Sequence, residues 1–208
     1  MSIIVISDPE EVLNEADILN ALFAEGMETF HLRKPHYSKA ETEALIEAIE
    51  PRYRGRVVLH HRYPLAVDYG LKGIHFTGGF IKNSFPKLED WYYEAKQNAM
   101  TVSASKHQLA ELATLEVAYD YVFLSPIFDS ISKIGYKSNF SDLESVGEYG
   151  TYTKIVALGG ITVDKIDQLK RMKFDGAAVL GAIWEEPVQA VQTFRELKAA
   201  WEKQDHIF

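Results

Sequence analysis

Eight short runs rich in β-branched and aromatic residues, at 3–7, 29–32, 56–60, 73–76, 101–104, 121–124, 154–158 and 176–180, recur along this chain of 208 residues. Several of them, such as Ile3-Ile4-Val5-Ile6, Ile155-Val156-Ala157-Leu158 and Ala177-Ala178-Val179-Leu180, show no alternation of apolar and polar side chains. Unbroken apolar runs of this length suit strands buried on both faces of a parallel sheet. Segments with helical spacing lie between them: Val12, Ala16, Leu19 and Phe23; then Thr42, Leu45 and Ile49; finally Val188, Val191, Phe194, Leu197 and Trp201. Helix starts are expected at Ser38, with Glu41 completing a capping box, and at Ser141 with Glu144. Strand and helix are expected to alternate throughout, which favours a single α/β domain over residues 1–208, a closed (β/α)₈ TIM barrel. A doubly wound open sheet is the alternative. Its usual glycine-rich turn after the first strand is replaced here by Ser7-Asp8-Pro9-Glu10-Glu11.

Composition narrows the partners. The 22 Lys and Arg against 30 Asp and Glu give a formal charge of −8, with no basic run, so a nucleic-acid partner is not expected. No apolar stretch approaches the roughly 20 residues of a membrane span, and no basic n-region precedes the first apolar run, so a cytoplasmic location without membrane attachment is expected. With no Cys, there are no disulfides and no thiolate chemistry. Nothing in the chain fixes its oligomeric state, and a homo-oligomer stays open.

In a barrel, residues just past each strand share one rim. Here that rim would carry Asp8, Arg33, Lys34, His60, His61, His75, Ser105, His107, 125–133, Gly159, Gly160 and Gly181. The glycines after the last two strands, in Ala157-Leu158-Gly159-Gly160-Ile161 and in Leu180-Gly181-Ala182, would let backbone N–H groups approach a phosphate; tight strand–helix turns are the plainer use for them. The segment Ser125 to Lys133 is rich in hydroxyls and ends in a cation, so Ser130, Ser132 and Lys133 could close over a phosphorylated ligand or simply face solvent. His107 is a candidate acid–base group, a capping or packing role being the alternative. His60 and His61 are adjacent, so only one can look inward and they are not read as a metal pair. His31 and Arg33 share a face, and a cation so near the rim calls for an anionic partner. Trp91, Tyr92 and Tyr93 are read as helix packing.

These motifs, in this order from Ile3 to about Trp184, resemble the thiamine-phosphate synthase and TenI superfamily. The matching pieces are Phe30-His31-Leu32-Arg33-Lys34, Gly73-Ile74-His75-Phe76, Ser105-Lys106-His107, Ser125-Pro126-Ile127-Phe128 with Ser130, Ser132 and Lys133, Ala157-Leu158-Gly159-Gly160-Ile161, and Gly176-Ala177-Ala178-Val179. The resemblance implies one of two reactions. A synthase joins a pyrimidine diphosphate to a thiazole phosphate carboxylate with Mg²⁺; a TenI-type protein moves a proton on the thiazole phosphate without a metal. It also implies that Ser130, Ser132, Lys133, Gly159, Gly160, Gly181 and Ala182 hold the phosphate, that Arg33, Lys34, His61 and Ser105 bind substrate, and that His107 and His31 are catalytic. The chain departs from the synthase pattern where Mg²⁺ aspartates are expected, with His60-His61 after the third strand and Gly78-Gly79-Phe80 after the fourth. Mg²⁺ prefers oxygen ligands, so the departures favour the TenI-type tautomerase. Two alternatives remain: a divergent synthase recruiting Mg²⁺ through Asp8 or Asp129, and a non-catalytic protein binding thiazole phosphate or thiamine phosphate. An unrelated phosphate-binding isomerase on the same fold is also open.

Overall fold

The computed structural model describes residues 3–129, 140, 146 and 152–203, without the side chains of residues 85 and 86. Eight strands form a closed parallel barrel: β1 (Ile3–Ile6), β2 (Phe30–Leu32), β3 (Val57–Leu59), β4 (Gly73–Phe76), β5 (Thr101–Lys106), β6 (Tyr121–Leu124), β7 (Lys154–Leu158) and β8 (Gly176–Val179). The last strand pairs with the first, Ile3 with Ala177 and Val5 with Val179, which excludes the open sheet. Trp184, just beyond β8, strengthens this seam by donating its indole N–H to the Ile6 carbonyl at 2.7 Å.

Alternation along each strand divides two apolar layers. Ile3, Val5, Phe30, Leu32, Val57, Leu59, Val102, Ala104, Val122 and Leu124 point outward into the layer beneath the helices. Ile4, Ile6, Tyr121, Phe123, Val156 and Ala178 point inward and pack together with Leu158 and Leu180. Both faces are therefore dry, which is why the strands read as unbroken apolar runs.

Helices α1 (Glu15–Ala24), α2 (Lys39–Ala48), α3 (Pro51–Arg54), α4 (Pro64–Asp68), α5 (Gly78–Gln97), α6 (Ile166–Arg171), α7 (Gly181–Trp184) and α8 (Ala190–Glu202) cover the outside. Among the described residues, no helix is long and apolar enough to cross a membrane. The capping box at Ser38 is present: its hydroxyl accepts from the Glu41 N–H while the Glu41 carboxylate accepts from the Ser38 N–H. Ser141 and Glu144 lie outside the described residues.

Three expectations need correction. The element after β5 is a short 3₁₀ turn, Leu109–Ala113, rather than an α-helix. Buried Lys106 pairs with Glu116 at 2.7 Å, so the chain must return to the strand end within a separation of 10 residues, which leaves room for a single turn. Val188 is 90% exposed, because Pro187 opens a 3₁₀ turn and α8 begins only at Ala190; Phe194 and Leu197 do face the core. Trp91 packs edge-on against Tyr63 with ring centres 5.4 Å apart, whereas Tyr93 is exposed.

Gly73 is required where β4 meets β5. A Cβ there would overlap the Thr101 carbonyl and hydroxyl. Gly73→Ala is expected to lower stability by about 1–3 kcal/mol, the usual cost of overpacking, seen as a lower urea midpoint with an unchanged m-value.

Candidate active site

The inward positions of β2 to β5 break the apolar pattern of the barrel interior. His31 on β2, His60 one residue past β3, His75 on β4 and Ser103 on β5 are all buried there. The imidazoles rest on Phe123, whose ring centre is 4.8 Å from that of His31 and 4.9 Å from that of His75. Hydrogen bonds tie the group together. His60 Nε2 meets His31 Nδ1 at 2.8 Å, and His31 Nε2 meets Tyr121 Oη at 2.6 Å. His75 bridges the hydroxyls of Ser103 and Ser105 at 2.8 Å each. Desolvation is the main cause that holds all three histidines below the ordinary imidazole range, His75 at about 3, with further repulsion from neighbouring cationic groups. They are therefore neutral at pH 7.

His31, expected to be catalytic, has 0% exposure and lies inside the barrel, so it cannot touch a ligand on the rim. His60 is the inward member of its pair and His61 is exposed, as strand alternation requires. Partial desolvation, then the Arg33 and Arg62 guanidiniums, lower the His61 pKa.

His107 stands exposed just past the end of β5. Its backbone N–H donates to the Glu111 carboxylate at 2.8 Å, and its Nδ1 lies 3.1 Å from the Ser125 carbonyl oxygen. The Ser125 hydroxyl lies 3.2 Å from the same nitrogen, so Nδ1 can donate to the carbonyl or accept from the hydroxyl, and donation to the carbonyl leaves the lone pair on Nε2. That nitrogen faces the start of α5, 3.8 Å from where a Cβ on Gly78 would sit. Ser105 is half-buried beneath the same rim.

Arg33 is half-buried, and its guanidinium has no ion-pair partner among the described residues. Lys34 is different. It is 4% exposed, and its ammonium is held by the Glu15 carboxylate at 2.6 Å and by the Glu10 carbonyl. A substrate contact by Lys34 would require breaking that buried pair.

Gly159 and Gly160 have φ of +104° and +64°, the left-handed region that favours glycine. A Cβ on Gly159 would fall 2.9 Å from Pro126 Cα, and one on Gly160 would overlap the Asp129 carbonyl. The close approach of the β6 and β7 loops thus requires both glycines. Gly181 and Ala182 open α7 at the end of β8 and are half-exposed. Ser130, Ser132 and Lys133 lie outside the described residues.

Residues 3–183 match the family model described as thiamine monophosphate synthase, TMP-TENI. The chain belongs to the thiamine monophosphate synthase/TenI family. Its curated relatives include the thiamine-phosphate synthase of Latilactobacillus sakei subsp. sakei strain 23K, 26% identical over 93% of this chain and 89% of the relative. That of Yersinia pseudotuberculosis serotype O:1b strain IP 31758 is 27% identical over 79% of this chain and 77% of the relative. The structure of thiamine phosphate pyrophosphorylase from Bacteroides thetaiotaomicron superposes with a TM-score of 0.79 at 29% identity, covering 99% of this chain and 100% of that one. The Salmonella typhimurium 3-hexulose-6-phosphate synthase, at 16% identity and a TM-score of 0.73, shares the fold.

The Mg²⁺ that synthases of this family use finds a poor donor set here. Among the described residues, the one group of three or more His, Cys, Asp or Glu side chains that converge closely enough for a metal is His31, His60 and His75. Imidazoles do not suit Mg²⁺, which takes oxygen ligands in near-octahedral geometry. Among the described residues no three carboxylates converge, and Asp8 Oδ1 accepts from the Glu10 N–H.

The interior histidines make a prediction about acid. Their pKa values are depressed in the folded chain, so below about pH 6.5 the unfolded chain binds more protons and stability falls with falling pH. In EDTA-containing buffer, the unfolding free energy is expected to drop between about pH 6.5 and 4 by up to about 1.4 kcal/mol per pH unit for each histidine. Urea titrations across that range measure the slope, and His75→Gln is expected to flatten it.

Proposed function

We propose that the mouth of the barrel binds a thiazole phosphate carboxylate and that His107 moves a proton on it, as in TenI-type tautomerases. The observation that carries this reading is the placement of His107 on the exposed rim with Nδ1 within hydrogen-bond reach of Ser125, where donation to the Ser125 carbonyl leaves Nε2 as a base. In this reaction Nε2 takes a proton from a carbon of the ligand while the C–H electron pair enters the conjugated ring. The resulting imidazolium then returns a proton at another atom, so atoms and charge balance. An imidazole can both accept and return a proton, which suits both half-steps.

The other groups supply binding. Arg33, without a carboxylate partner among the described residues, suits the ligand's carboxylate or the negative charge that develops on proton removal. The loops after β7 and β8, with Gly159, Gly160, Gly181 and Ala182, lie where barrels of this type commonly bind phosphate through backbone N–H groups. No step in this scheme requires Mg²⁺, in keeping with the donor set.

A second reading is a divergent synthase, favoured by the names of the relatives in Latilactobacillus and Yersinia. One experiment separates the two. Thiazole phosphate carboxylate tautomer is incubated with the full chain in D₂O and EDTA and followed by NMR. Isomerisation with deuterium uptake is expected, reduced about 10²- to 10⁴-fold in His107→Ala, the range for loss of a general base. No isomerisation by wild type, together with pyrophosphate release once pyrimidine diphosphate and Mg²⁺ are added, would replace the tautomerase with the synthase. Ligand binding without either turnover would leave a binding protein.

A further inference from the structure

We propose that the barrel interior is a binding site for a divalent transition-metal ion of the Zn²⁺ and Co²⁺ class, held by His31, His60 and His75. This site lies beneath the rim, and the argument does not rest on the proton transfer assigned to His107.

Three adjacent strands each deliver one imidazole, and one ring nitrogen from each lies within 4.8 Å of the others. In a tetrahedral site with metal–nitrogen bonds of about 2.0–2.1 Å, ligand nitrogens are about 3.3 Å apart. His31 Nδ1 and His60 Nε2 are closer than this, at 2.8 Å, and the nitrogens of the set all lie within 4.8 Å of one another.

A second observation concerns the other nitrogen of the His60 ring, not the one that meets His31. His60 Nδ1 is buried and has no hydrogen-bond partner. Buried polar atoms are nearly always satisfied, and an orphan calls for an ion or a water. The surroundings favour an ion that prefers nitrogen. Zn²⁺, Co²⁺, Ni²⁺ and Cu²⁺ take imidazole ligands. Tyr121 meets His31 Nε2, and Ser103 and Ser105 meet the two nitrogens of His75, so a metal would displace one serine hydroxyl and keep the other as an outer partner. Such outer partners fix the orientation of ligating imidazoles. Three protein ligands leave a fourth position, which water or hydroxide fills at sites of this kind. No carboxylate belongs to the cluster.

The test uses the untagged full chain, both as purified and after refolding from guanidinium with Co²⁺, because the site is buried and loading during folding is the open route. After removal of free metal, one cobalt per chain is expected by elemental analysis, with the visible ligand-field band of four-coordinate Co²⁺. Saturating metal is expected to raise Tm by about 5 °C or more. Affinity is expected to fall at least about tenfold in His60→Gln and His75→Gln and to be unchanged in His36→Ala, at an exposed position. Absence of retained cobalt in both preparations would overturn the proposal and leave the orphan nitrogen to a water. Retention equal to wild type in the folded His60→Gln and His75→Gln chains would overturn it as well. If those chains do not fold, X-ray absorption on the cobalt-loaded wild type decides: three imidazole ligands support the site, and fewer than three refute it.

Discussion

The pairing of β8 with β1, reinforced by the Trp184 indole on the Ile6 carbonyl, brings residues at opposite ends of the chain into one wall. Closure sets everything else. All strands run in the same direction, so their C-terminal ends form one mouth, and Arg33, Ser105, His107, Gly159 and Gly181 become neighbours around it. Closure also makes an interior, where inward side chains must satisfy one another because water is excluded. On β6, β7, β8 and β1 they do so by apolar packing, and on β2 to β5 by hydrogen bonds among histidine, serine and the Tyr121 hydroxyl.

This division has a chemical consequence. Histidines buried without a carboxylate partner stay neutral, so the interior is a set of imidazole lone pairs and N–H groups rather than a charged cluster. His107, outside that shell, is an exposed histidine at the mouth whose Nδ1 meets the Ser125 carbonyl and hydroxyl and whose Nε2 faces the start of α5. The same residue type thus serves as interior donor in one layer and as candidate base in the next, and depth alone separates the roles.

Much of the fold was legible in the sequence, because burial on both faces leaves runs such as Ile3-Ile4-Val5-Ile6 that few other arrangements explain. The parity rule also required one of His60 and His61 to face inward, and the structure shows that it is His60. What the sequence did not yield was the meeting of His31, His60 and His75. His60 and His75 stood among candidate rim residues and His31 on the second strand, but their convergence depends on the register of three neighbouring strands, and one residue of slip would turn any of them outward. Had parity been applied across strands as well as within them, Ser103, Tyr121 and the three histidines would have fallen on one face. The burial of Lys34 was hidden for a related reason. Its partner Glu15 opens α1, a helix whose position against β2 no local pattern reveals. The short turn after β5 was missed because the Lys106–Glu116 pair that limits it is a tertiary contact.

The account's central claim is that His107 presents a lone pair at Nε2 to a ligand at the barrel mouth. A long-range ¹H–¹⁵N NMR spectrum of the histidine rings, with His107 assigned through its alanine variant and thiazole phosphate carboxylate titrated in, tests this directly. A proton on Nδ1 of His107 in the free chain, and a ligand-dependent shift of its Nε2 with the His31, His60 and His75 rings still neutral, is the predicted result. A proton on Nε2 in the free chain, or a ligand that binds without moving the His107 signals, would contradict it.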